Sequence, residues 1–166
     1  HEFDEGDAGL RRFLDYLRSG PCQTTVLAAN VEPAIGSPLA PVAIDDYRRS
    51  YLLKEVDGIV LGIIGIDVRG KTMNSSRPLA TTLFSDEVDT AQKTIDELRA
   101  RGIRHIILVT HQGYEADKAM AARLSDVDVI IGGDSHTLLG SVSALGISGS
   151  SGPYPTVVKN RDGERV

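Results

Sequence analysis

His111, Asp134 and His136 are the residues of this chain whose types and spacing best suit chemistry. Neutral imidazole and carboxylate are both ligands for divalent cations. Asp134 and His136 lie two apart, so in extended backbone their side chains project to one side. They follow Gly132-Gly133, a pair that lets the main chain turn tightly and approach a bound group closely. His111 closes a different apolar run, in Thr110-His111. Such donors suit manganese, iron, zinc or magnesium better than a thiol-selecting metal. A second pairing sets His1 beside Asp4. A carboxylate near an imidazole orients it and supports its protonated form, as a general acid requires. Each group also has a plain structural reading. His111 could simply be hydrogen-bonded at a strand end, residues 134–136 an Asx-type turn, and His1 with Asp4 a frayed terminus. His105 lies within a strand and reads as a packed or edge residue.

The metal reading gains from the elements that must carry these residues. Residues 106–109 form an apolar run, 115–124 have helical character, and 127–131 form a second apolar run. Strand, helix and strand in that order close as a right-handed parallel crossover. Both polar clusters then stand at the carboxyl ends of neighbouring strands, where open α/β sheets place their ligands.

The rest of the chain builds support for that unit. Apolar residues at Leu10, Phe13, Leu14 and Leu17 predict a helix over 7–19, stopped by Gly20-Pro21. Residues 24–29 read as a short buried strand. Residues 31–44 read as a loop rich in Pro and Gly. Asp57-Gly58 between 51–56 and 59–66 is a strong hairpin signal, because both turn positions favour positive φ. Residues 67–84 are polar and read as a long loop. Ser85 is the expected cap of a helix whose buried stripe is Val88, Ala91, Ile95 and Leu98, and Gly102 ends it. Residues 140–154 show no period, 156–159 suggest a last strand, and 160–166 resemble a hairpin whose return strand is short.

Composition narrows the classes. The chain has 166 residues, 41% hydrophobic and 25% charged, values of one globular domain with a real core. A net charge of −5 gives no electrostatic case for a nucleic acid polymer as partner. No apolar run reaches membrane-spanning length. Cys22 is alone, so neither an intrachain disulfide nor a cysteine cage is available. Walker-type, GxGxxG and GxSxG motifs are absent, which leaves nucleotide triphosphatase, dinucleotide and serine-hydrolase readings unsupported. The chain opens on His1 rather than Met, and both ends suggest a piece of something longer.

Three stretches in order, HEFDEG, VTHQGYEADKAMA and VDVIIGGDSHTLLG, resemble the 5′-nucleotidase branch of the calcineurin-like metallophosphoesterases. The resemblance covers most of the chain. It implies an α/β fold, part of a four-layer αββα sandwich with two divalent metal ions (Mn, Zn, Fe or Mg) at the strand ends. It implies that residues 1–166 are a partial catalytic domain, with upstream strands and a C-terminal nucleotide-binding domain lying elsewhere in a longer chain. By the same resemblance His1 corresponds to a histidine that stabilises the leaving oxygen, with Asp4 orienting it. His111, Asp134 and His136 correspond to metal ligands. Asp134 stands where the family pattern usually has His, which implies an altered metal preference. The implied activity is hydrolysis of a small-molecule phosphate ester, a nucleotide above all, by the intact parent, with the piece itself inactive. A thiosulfate-ester hydrolase of the same superfamily and a non-catalytic α/β binding domain with a decayed metal site are the alternatives. The implied location is extracellular, periplasmic or at the cell surface. A sheet edge left exposed would invite self-association.

Overall fold

The computed structural model describes residues 2–21, 24–42 and 50–166. His1 lies outside them. The chain is mixed α/β, and its centre is a four-stranded sheet ordered β2-β3-β5-β6. β2 (Tyr51–Val56) and β3 (Ile59–Asp67) are antiparallel across the Asp57-Gly58 turn. Both turn residues have positive φ, 50° and 80°, as a tight two-residue hairpin requires. β5 (His105–His111) runs parallel to β3, and β6 (Val129–Ile131) runs parallel to β5.

The register decides which face is buried. Ile64 pairs with Leu108, and Ile66 with Thr110. These side chains, with Ile106, face α3 (Glu87–Ala100) and α4 (Tyr114–Ala121) and bury against Ala91, Ile95, Leu98, Met120 and Leu124. The expected stripe of α3 is therefore its buried face. On the other side of the sheet, residues 27–29 cross so closely that a Cβ on Gly65 would collide with the backbone of Leu27. Beyond them a second core joins Phe3, Leu14, Val31, Leu39 and Phe84. It brings α1 (Gly6–Ser19) against a two-stranded sheet of β1 (Val31–Pro33) and β4 (Thr82–Phe84). Buried Asp7 fastens α1 there, accepting hydrogen bonds from the Leu79 N–H at 2.6 Å and from the Thr82 hydroxyl.

Several expectations change. Residues 24–29 form no ladder strand; they run along the sheet with a single bridge at Leu27, tied by the Ala29 N–H to the Gly65 carbonyl at 2.8 Å. The loops expected over 31–44 and 67–84 contain β1, β4 and a short helix, α2 (Arg69–Ser75). Strands of three residues are too short to show a period. α2 has no apolar stripe and is held by polar contacts instead. The cap of α3 is Asp86, not Ser85: Asp86 accepts from the Val88 and Asp89 N–H groups, while the Ser85 hydroxyl donates to Glu32. Residues 156–159 make no full strand. Val158 and Val166 exchange backbone hydrogen bonds around a turn organised by the Asn160 side chain. Among the described residues no helix is long and apolar enough to cross a membrane.

Candidate functional site

β3, β5 and β6 all run parallel, so their carboxyl ends gather on one side. Asp67 ends β3 directly opposite His111 at the end of β5. The turn 132–136 leaves β6 beside them. Thr110 fixes the start of α4: its hydroxyl donates to Asp117 at 2.7 Å, and the Gln112 amide donates to the same oxygen at 2.9 Å. Burial raises the Asp117 carboxyl above its usual range, and those two hydrogen bonds oppose the rise. Gly132 lies so close to Asp117 that a Cβ would strike the carboxylate. Strand end, helix start and turn are thus locked around one carboxylate.

The turn itself is not extended. Asp134 has φ 81° and His136 φ 48°. Side-chain residues seldom adopt this region, and such positions concentrate at functional sites. The expectation that Asp134 and His136 point the same way because they are two apart therefore loses its premise. The Asp134 side chain is tucked in, 10% exposed, whereas His136 is exposed. His136 still contributes to the field that lowers the Asp134 carboxyl, after Lys71, the largest cause, and His111.

The structure brings His111 and Asp134 together. His111 Nε2 lies 4.0 Å from Asp134 Oδ1, and Nδ1 lies 3.1 Å from Glu2 Oε1. A neutral ring that donates its Nδ1–H to Glu2 would present its Nε2 lone pair on the side of Asp134. An ion bound to both at about 2.0–2.2 Å would lie almost in line between them across the 4.0 Å gap, and a tetrahedral site would need the pair to close by about 0.5 Å. A carboxylate on the far nitrogen of a metal-binding imidazole is also the usual outer support. The pair offers a divalent ion two ligand atoms of suitable chemistry. Among the described residues no group of three His, Cys, Asp or Glu side chains is gathered closely enough to hold a metal.

Asp4 accepts a hydrogen bond from the Ser76 hydroxyl at 2.8 Å. With His111, Asp134, Lys71, Thr72 and Arg77 it lines a polar cavity of about 350 Å³. Its expected partner His1 lies outside the described residues. His105 is exposed at the opposite end of β5 from His111.

Sequence reasoning missed Asp67, Lys71 and Glu2. Burial pushes the Asp67 carboxyl up to about 6, and the charge of Glu2 adds to it, against hydrogen bonds from the Val68 N–H and the Thr72 hydroxyl. Lys71 Nζ lies 2.5 Å from both oxygens of Asp134. Asp67 carried a signal, a carboxylate ending an apolar strand two residues before a glycine-containing polar stretch. Lys71 carried none.

No protein-family model matches the chain. It is 36% identical over 168 residues to a probable 5′-nucleotidase of Treponema pallidum, covering all of this chain and 26% of that protein. The structure of the NAD nucleotidase of Haemophilus influenzae superposes with a TM-score of 0.85 at 38% identity, over all of this chain and 31% of that one. A 5′-nucleotidase precursor from Thermus thermophilus gives a TM-score of 0.87 at 39% identity, over all of this chain and 30% of that one. A Thermus sulfate thiohydrolase, at 23% identity and a TM-score of 0.65 over 82% of this chain, shares the fold alone. The chain spans about a quarter of the length of the curated relatives it matches.

Proposed function

This chain belongs to the 5′-nucleotidase branch of the calcineurin-like metallophosphoesterases, and from that premise we propose that it forms part of a catalytic domain hydrolysing phosphate esters, with nucleotides as the favoured substrate. The observation that carries the reading is the opposition of His111 Nε2 and Asp134 Oδ1 across 4.0 Å, at the ends of parallel strands. In this reading His111 and Asp134 hold divalent metal, His136 is a further expected ligand that stands exposed apart from that pair, and two such ions serve the intact enzyme, drawn from Mn, Zn, Fe or Mg. Divalent metal, when bound, neutralises phosphate charge and acidifies water. Glu2 orients the His111 ring. Asp4, steadied by Ser76, orients His1 toward the leaving oxygen. The thiohydrolase alternative has only a shared fold behind it.

Two further expectations belong to this reading. The parent works outside the cytoplasm, as a periplasmic, secreted or surface protein; a precursor form of the Thermus relative supports it. The chain self-associates through the β6 side of the sheet, where Val129 and Ile131 are exposed.

The test is release of inorganic phosphate from a nucleoside 5′-monophosphate by the whole protein and by its His111→Ala and Asp134→Ala variants. Each substitution is expected to lower turnover by at least about 10- to 100-fold, the range for disturbing even an outer partner of a metal site. Unchanged turnover in both would overturn the proposal.

A further inference from the structure

The site contains a cation of its own. Lys71 reaches from α2 across to the turn after β6, and its ammonium lies 2.5 Å from each oxygen of Asp134. An ammonium equidistant from both oxygens sits astride the carboxylate, where a chelated cation would sit. The two partners are held very differently. The Asp134 side chain is 10% exposed and that of Lys71 59%. Asp134 is wedged into its turn, for a Cβ on Gly113 would come within 3.3 Å of its Oδ2. Lys71 arrives on a flexible four-carbon stem from the solvent side.

Resting on the assignment of His111 and Asp134 as metal donors, we propose that Lys71 is a displaceable counterion that occupies Asp134 in the metal-free protein and competes with a divalent ion for it. The argument is one of matched costs. Without Lys71 the Asp134 carboxylate would have His111, 4.0 Å away, and solvent to meet its charge. Lys71 supplies a direct partner before metal arrives. Its own hold is weak, because an ion pair with one member in solvent is screened and worth little. A divalent ion offers the same carboxylate twice the charge and takes His111 as a second ligand, which the ammonium cannot do. Exchange then moves one exposed side chain. α2 stays in place, since the Thr72 hydroxyl still faces Asp67 and the Arg69 N–H still donates to Glu87 at 2.8 Å.

The expected signature runs opposite to that of a residue that merely supports the site. Mn²⁺ is titrated calorimetrically into chelator-stripped protein: wild type, Lys71→Met, Asp134→Asn, the double variant, and His111→Ala. Circular dichroism checks that each is folded. Lys71→Met is expected to bind Mn²⁺ roughly two- to fivefold tighter at low salt, the scale of an exposed ion pair. The gain should shrink as NaCl is raised and vanish in the Asp134→Asn background. Equal or weaker binding by Lys71→Met overturns the proposal, as does a gain that survives Asp134→Asn. If His111→Ala weakens binding while Lys71→Met leaves it unchanged, only the counterion role fails. If wild type, Lys71→Met and His111→Ala all lack Mn²⁺ binding, the metal assignment fails with it.

Discussion

Asp67 gives the most quantitative handle on the site. Its carboxyl, 3.8 in an unstructured chain, stands at about 6 in the fold, first because it is buried and then because Glu2 is negative. An acid whose pKa is raised prefers to be neutral in the folded state. Below pH 3.8 it is protonated in both states, so it costs the fold nothing. As pH rises from there to about 6, the unfolded chain ionises while the folded chain resists, and stability falls. Above that window the penalty is complete, and the shift corresponds to about 3 kcal/mol. Asp67→Asn removes the charge and keeps an oxygen for the Val68 N–H, which now donates at 2.8 Å. In chelator-treated protein the Asn variant should therefore be about 1–3 kcal/mol more stable than wild type at pH 7.5. The two should be equally stable near about pH 3.5, below the unfolded value. Urea unfolding followed by circular dichroism at half-unit steps of pH measures the gap, and other carboxylates cancel in the difference. A gap that stays constant with pH, or widens as pH falls, would refute the reasoning.

Two predictions concern the scaffold behind the site. Asp7→Ala strips the acceptor from the buried Thr82 hydroxyl and from the Leu79 N–H, and should cost about 1–3 kcal/mol in chemical denaturation; a loss below about 0.5 kcal/mol would show that this anchor of α1 is dispensable. Gly65→Val drives a side chain into the Leu27 backbone, so a loss of at least about 1–3 kcal/mol is expected from the same measurement, and an unchanged midpoint would mean that residues 27–29 do not lie against the sheet.

Much of this was legible before any coordinates. The strand-helix-strand unit declared itself because the apolar runs of β5 and β6 flank a helical stretch, and α3 was legible because it repeats apolar residues at helical spacing. The Asp57-Gly58 hairpin was legible because a turn with two positive φ angles restricts its residues severely. What was hidden has physical reasons. β1 and β4 have three residues each and stabilise one another, so neither carries its own pattern. Ser85 and Asp86 are both able to cap a helix, and the choice is made by Glu32, remote in sequence, which takes the Ser85 hydroxyl. Asp134 and His136 defeated the two-residue period because both adopt left-handed backbone. Lys71 was invisible because its importance lies in a partner 63 positions away.

Neighbouring strand ends show the same deficit of positive charge in two forms. Asp67 and Asp134 are carboxylates at the ends of β3 and β6, on either side of His111. One is pushed up by burial and by Glu2; the other is held down because an ammonium reaches it. Environments that drive two nearby acids in opposite directions are how proteins assign them different tasks. Here a single exposed lysine makes the difference, and it can satisfy only one of them. Glu2 and Asp4 add further negative charge nearby, while Arg77, the other cation of the polar cavity, is exposed. A merely structural turn would have no reason to concentrate acids faster than it supplies cations. A centre that recruits positive charge from solution does, and in the proposed function that charge settles between His111 and Asp134.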